Sequence, residues 1–116
     1  NYNLYTVYDK GQLITQVAID NGKKDRVPLV AKGKLIYPLT DEEIKKIKVG
    51  INVEDNIVAP IEEGQVLGTV DVFLDGNLIK SEKLTAKYGI EKKSIFERFI
   101  DNIKSLSMNP FIYKLS

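Results

Sequence analysis

A chain of 116 residues with 17 basic and 16 acidic side chains, net charge +1 and 43% hydrophobic residues has the make-up of one folded domain. It has neither cysteine nor histidine, which excludes a disulfide, a thiolate nucleophile, a Ser-His-Asp triad and a His/Cys zinc site within these residues. The even charge offers no basic face for nucleic acid, and no apolar run reaches the roughly 18 residues that a membrane span needs.

The first 88 residues read as short strands separated by turns. Leu4, Thr6 and Tyr8 alternate with Tyr5, Val7 and Asp9 in a first strand that ends at Asp9-Lys10-Gly11-Gln12. Leu13 to Asp20 forms a second, with Leu13, Thr15, Val17 and Ile19 on one side. Asn21-Gly22 is a hairpin signal, and Lys23-Lys24-Asp25-Arg26 beside it reads as a solvated turn. Val27 to Ala31 and Leu35 to Leu39 follow around Gly33; Pro28 and Pro38 each lack a backbone donor and belong at edges or bulges.

Thr40-Asp41-Glu42-Glu43 fits a capping box, but Ile47, Val49, Ile51 and Val53 keep period two after it. The expectation is a charged turn, with room for a single helical turn at 41–45, leading into a half-buried strand. Ala59-Pro60-Ile61, Gly64 and Gly68 then bend the chain into a strand alternating through Val70, Val72 and Leu74. Asp75-Gly76 turns it back into Leu78 to Leu84. Seven strands with no helical pattern between them predict an all-β fold, a small antiparallel β-sandwich over residues 1–88.

The pattern changes in residues 89–116. Ser94 and Glu97 fit a second capping box, and Ile95, Phe96, Phe99, Ile100, Ile103 and Leu106 fall on one helical stripe that Asn109-Pro110 stops. The predicted amphipathic helix is about 20 Å long, too short to cross a bilayer. Its apolar stripe suits an interfacial anchor, with Lys92, Lys93, Arg98 and Lys104 placed to meet lipid phosphates. Packing on the sandwich, or against another copy, would use the same stripe. The chain starts at Asn1-Tyr2 with no signal-peptide pattern and has Met108 as its one methionine, so a piece of a longer polypeptide is expected.

Ala59-Pro60-Ile61, Gly64, Gly68, Asp75-Gly76 and Leu84-Thr85-Ala86 together resemble the C-terminal β domain of bacterial D-alanyl-D-alanine carboxypeptidases, the low-molecular-mass penicillin-binding proteins. The likeness extends upstream to a Lys10-Gly11 hairpin, Asn21-Gly22 and Arg26 to Ala31, and downstream to the stripe from Ser94 to Leu106. The resemblance implies a non-catalytic spacer and anchor, with Ala59, Pro60, Gly64, Gly68, Asp75 and Gly76 as structural motif and Ile95, Phe96, Phe99, Ile100, Ile103, Lys92, Lys93 and Arg98 at the membrane. It places a serine-type catalytic domain before residue 1 and the whole on the outer face of the cytoplasmic membrane, working in peptidoglycan maturation.

That family's Ser-x-x-Lys and Lys-Thr-Gly motifs do not occur here, so no catalytic residue is expected; Ser107-Met108-Asn109 matches Ser-x-Asn alone. An interaction module that docks a parent protein onto cell-wall synthesis partners is the competing reading. The segment 59–68 also resembles lipoyl and biotinyl carrier domains, but the hairpin tip Asp75-Gly76-Asn77 lacks their modified lysine. No cofactor and no metal is expected. The scattered tyrosines, with Phe73, read as core or cross-strand partners rather than a stacking surface.

Overall fold

The computed structural model describes residues 1–94. Seven strands and one short helix follow in chain order: β1 (Asn3–Tyr8), β2 (Leu13–Ala18), β3 (Arg26–Ala31), β4 (Leu35–Leu39), α1 (Asp41–Ile44), β5 (Ile47–Val53), β6 (Val66–Leu74) and β7 (Asn77–Ala86). All pairings between strands are antiparallel. β1 and β4 form a two-stranded ribbon, and the other five make a sheet in the order β2-β3-β7-β6-β5.

The all-β, antiparallel expectation holds, but the layers differ from a simple sandwich. The five-stranded sheet curls until its two outer strands nearly meet, giving a barrel-like body. At the closing end Asp20 makes a parallel bridge with Val58: the Asp20 N–H donates to the Ile57 carbonyl at 2.9 Å and the Ala59 N–H to the Asp20 carbonyl at 2.9 Å. The interior holds Val17, Val27, Leu29, Ala31, Leu67, Val70, Val72 and Leu84, joined by Tyr8 and Leu35 from the ribbon. In β3 Val27, Leu29 and Ala31 point inward while Pro28 and Val30 are part-exposed, the alternation expected of a strand with one buried face.

Two turns behave differently from the sequence expectation. Lys10-Gly11 is not a hairpin, because β1 pairs with β4 and β2 with β3. Gly11, at φ +80°, instead turns the chain from the ribbon into the sheet, and its N–H donates to the Ala31 carbonyl at 2.8 Å. β2 and β3 do form a hairpin, but its connection runs over residues 19–25 rather than closing at Asn21-Gly22. The extra residues are used for pairing elsewhere at the barrel's closing end.

Pro38 sits in the ribbon, whose strands are both edges. Pro28 lies in an inner strand just past the last β3–β7 pair, Leu29 with Ala86, so its missing N–H removes no bond of that ladder. Its carbonyl accepts from the Lys87 N–H at 3.0 Å.

At 40–44 the capping box is complete and the single-turn alternative is realised. The Glu43 N–H donates to Thr40 Oγ1 at 3.1 Å, and the Thr40 N–H to Glu43 Oε1 at 3.0 Å. β5 is a strand, but the half-burial expected of it is not found. Ile47 packs on the core, whereas Val49, Ile51 and Val53 are 52%, 45% and 43% exposed. They share a face with buried Val72 and Val70 in β6, yet β5 is an edge strand and no strand among the described residues pairs with its far side.

Candidate functional site

The glycine-proline motif clamps one end of the body, here termed the base. Ala59 is buried and precedes Pro60 through a cis peptide bond. Ile61 and Ile90, both buried, exchange backbone hydrogen bonds at 2.8 and 2.9 Å. Gly64, at φ +82°, donates its N–H to the Ala86 carbonyl at 2.9 Å, and the Gln65 carbonyl accepts from the Ala86 N–H at 2.9 Å. Gln65 Oε1 accepts from the Glu62 N–H at 3.0 Å, which closes the turn.

Asp75 and Gly76 lie at the other end. Their φ values of 54° and 82° fit the two-residue turn expected for Asp-Gly between antiparallel strands. The β6–β7 ladder thus separates tip from base by about 30 Å, at roughly 3.3 Å per residue.

Three strands of chain meet at the base. Gly22 bridges Lys92; the Lys23 N–H donates to the Glu91 carbonyl at 2.8 Å and the Lys93 N–H to the Asn21 carbonyl at 2.9 Å. Lys23 Nζ is 3.2 Å from Glu91 Oε2, an exposed pair of small energetic weight. Lys24 Nζ sits 4.5 Å from the centre of the Tyr88 ring, within cation–π range. Residues 90–92 are therefore tied to both Ile61 and Gly22.

Of the proposed membrane residues, Lys92 and Lys93 are brought to the base beside Lys23 and Lys24. Ile95, Phe96, Arg98, Phe99, Ile100 and Ile103, the predicted helix, the tail and the Ser107-Met108-Asn109 match all lie outside the described residues. Sequence reasoning missed Gly22 as a close-packing residue: a Cβ there would meet Ile90 Cγ2 at 2.7 Å and the Lys24 carbonyl at 3.0 Å. The Asn-Gly pair was the signal for it, read as a turn preference rather than as room for a neighbour.

The start of β1 lies toward the tip. Asn3 pairs with Leu39, which leads into α1; the Tyr5 hydroxyl donates to Asp41 Oδ1 at 2.8 Å; and Lys46 Nζ is 4.0 Å from Asp75 Oδ2. Residue 3 and residue 94 thus sit toward opposite ends of the body.

No bond-breaking constellation is assembled among the described residues. A hollow of about 350 Å³ between the end of β2 and residues 53–57 is lined by Gln16, Asp20, Glu54, Asp55 and Asn56, none of which is a nucleophile beside a base. No group of three or more metal-ligating side chains is found among the described residues. Two tyrosines have raised pKa values. Tyr5 is raised by its hydrogen bond to Asp41, and Tyr8 by burial and then by the Glu82 charge. Neither lines that hollow. The hairpin tip offers no lysine, and Lys80 lies within β7.

Residues 2–92 match the family model described as "Penicillin-binding protein 5, C-terminal domain". Over 92 residues the chain is 29% identical to D-alanyl-D-alanine carboxypeptidase DacF of Bacillus subtilis (strain 168), covering 78% of this chain and 24% of that protein. Among solved structures, penicillin binding protein 5 from Haemophilus influenzae matches with TM-score 0.70 and 25% identity, over 79% of this chain and 27% of that one. The D-alanyl-D-alanine carboxypeptidase DacD from Francisella tularensis shares the fold, at TM-score 0.58 and 20% identity over 79% of this chain and 24% of the other. The chain spans about a quarter of the length of these relatives. It belongs to the family of penicillin-binding protein 5 C-terminal domains.

Proposed function

We propose that this penicillin-binding protein 5 C-terminal domain is a stiff, non-catalytic spacer that holds a D-alanyl-D-alanine carboxypeptidase at a set height above the outer face of the cytoplasmic membrane. One observation carries the reading: β1 begins toward the tip, and the chain leaves at the base about 30 Å away along the β6–β7 ladder. A domain preceding residue 1 and a membrane segment following residue 94 would be kept apart by a paired sheet. Cross-strand pairing resists bending in a way that a flexible linker of equal span does not.

The stripe Ile95, Phe96, Phe99, Ile100 and Ile103 supports an interfacial helix as the lower attachment, with Lys92, Lys93 and Arg98 meeting lipid phosphates. No helix among the described residues is long and apolar enough to cross a membrane. In this role the parent protein trims the terminal D-alanine from peptidoglycan stem peptides, and this domain fixes how far from the bilayer it does so.

Sedimentation with anionic vesicles tests the proposal. The chain should pellet with lipid, and Phe96→Ser with Phe99→Ser should leave it in the supernatant. Lipid-independent behaviour, with capture of a cell-wall synthesis protein instead, would replace the spacer with a docking module. Labelled penicillin should not acylate the chain at any serine.

A further inference from the structure

We propose that the outward face of the β1–β4 ribbon is the seat of the domain that precedes this one in the parent protein. Tyr2, Leu4, Ile36 and Pro38 pack against an uncharged, apolar patch of that domain and set its angle. The proposal rests on the spacer reading, since it supplies the upper joint of the same strut.

The ribbon has two unlike faces. Leu35 and Leu39 are buried, and Val7 and Tyr37 pack against the core, so these point into the body. Leu4, Thr6, Ile36 and Pro38 point the other way and are exposed. The register sets Leu4 opposite Pro38 and Thr6 opposite Ile36, which places all four side by side on one surface. Leu4 is 75% exposed, more than any other large hydrophobic side chain among the described residues, and Tyr2 just ahead of it is 67% exposed. β1 and β4, six and five residues long, contain no charged side chain, in a chain that is 28% charged. The face is also held in place. Tyr8 and Leu35 anchor it in the core, and the Tyr5 hydroxyl ties β1 to Asp41 at 2.8 Å. An uncharged apolar surface on a fixed support suits a protein contact.

The occupant follows from the connection of the chain. The family is a C-terminal domain matched from residue 2, and this chain spans about a quarter of its relatives' length. In those relatives most of the protein therefore lies ahead of the position of Tyr2, and it joins the ribbon within a few residues of Leu4. Five side chains are few beside the roughly 20–30 residues a side of an interface between free proteins. A preceding domain needs fewer contacts, because a short tether holds it at an effective concentration in the mM range. Lipid does not fit the position: β1 begins toward the tip, whereas the last described residues are tied to the base. With this face covered, the strut fixes the orientation of the preceding domain as well as its height.

Cysteine labelling of the whole parent protein tests the docking. These 116 residues contain no cysteine, so Leu4→Cys and Ile36→Cys each add a single thiol to them. Any cysteine elsewhere in the parent is first replaced by serine. Both positions are exposed, and Val58→Cys, 52% exposed at the base, is the control. In the 116-residue chain a maleimide should modify all three at similar rates. In the parent, positions 4 and 36 should react at least about tenfold more slowly while position 58 is unchanged. In the parent, Leu4→Asp with Ile36→Asp should also make the connection ahead of Tyr2 several-fold more sensitive to proteinase K, with acylation by labelled penicillin unaltered. Equal rates at positions 4 and 36 in chain and parent overturn the proposal, as does a connection cut no faster in the double variant. So does protection that grows with the concentration of the parent, which would assign the face to a second copy, or a parent with no domain ahead of this one. Binding of the parent to anionic vesicles separates this joint from the lower one. Protected thiols in a parent that ignores lipid uphold the docking and remove the membrane attachment; reactive thiols in a parent that binds lipid do the reverse.

Discussion

Gly68 lies so close to the Asn52 carbonyl oxygen that a Cβ on Gly68 would overlap it, with Val53 Cα and the Asn52 carbonyl carbon at 3.2 and 3.3 Å behind. All three atoms are backbone, so no side chain can swing away. Gly68→Ala should therefore push β5 and β6 apart at their Val53 end and destabilise the fold by about 1–3 kcal/mol. Urea unfolding measures the loss, and faster hydrogen exchange at the Glu54 amide, which bonds to Leu67 beside the contact, localises it. Unchanged exchange there would refute the backbone clash.

Gly64, four residues earlier, fails for a different reason. A Cβ on it meets nothing within 4 Å, but its φ of +82° disfavours any side chain. Gly64→Ala should cost about 1 kcal/mol, and Gly64→Asn less, because asparagine tolerates this region. At Gly68, where space is the limit, asparagine should be worse than alanine. Opposite orders of the two substitutions at the two sites would be the signature; the same order at both would contradict it.

Tyr8 is 3% exposed and its hydroxyl has no hydrogen-bond partner among the described residues. An unsatisfied buried hydroxyl opposes folding, so Tyr8→Phe should be neutral or stabilising by up to about 1 kcal/mol at pH 7. Burial and the nearby Glu82 charge hold its pKa above the usual value of 10.0, so the folded state keeps this proton to higher pH than the unfolded chain. The associated stability is complete below about pH 10 and falls as pH rises through the native value. Melting curves from pH 8 to about 11 should show the wild type losing stability faster than Tyr8→Phe. Parallel decline of the two proteins would show that Tyr8 does not titrate in the fold.

Thr40 and Glu43 satisfy each other's backbone donors at the start of α1. Thr40→Ala should cost about 1 kcal/mol in chemical denaturation, while Thr40→Ser should restore most of it, since the hydroxyl rather than the methyl accepts the bond. Loss of equal size in both variants would assign the effect to packing of the Thr40 methyl.

The strands, the Asp75-Gly76 turn and the capping residues were legible because each follows a local rule of period two, of positive φ or of N-cap chemistry. Sheet membership was not. Lys10-Gly11 looks like a hairpin turn by residue type, and nothing local tells that β1 continues to pair with β4 across the chain. Half-burial of β5 was inferred from alternation, which identifies the apolar face but not whether a neighbour covers it. The base escaped notice for the same reason: Gly22, Ile61 and Ile90 come from distant segments, and only closure of the barrel brings them together.

Gly22 tests whether that closure transmits to the end of the described chain. It is buried, and a Cβ on it would press on Ile90 Cγ2 at 2.7 Å, the Lys24 carbonyl at 3.0 Å and Ala59 Cβ at 3.2 Å. The Ile90 methyl is buried too and has little space to retreat. Gly22→Ala should destabilise the domain by about 1–3 kcal/mol, as overpacking does elsewhere. Its local effect is more informative. The Lys23 and Lys93 amides bond across this junction to Glu91 and Asn21, so both should exchange with solvent several-fold faster in the variant, while the Ala31 amide, held by Gln12, keeps its protection. If the spacer reading holds, loosening here frees the chain's exit without melting the barrel, and a membrane-bound parent would lose its fixed height before it loses its fold. Exchange that rises equally at Lys23, Lys93 and Ala31 would instead mean that the base and the barrel open as one unit, and the exit could not be tuned separately.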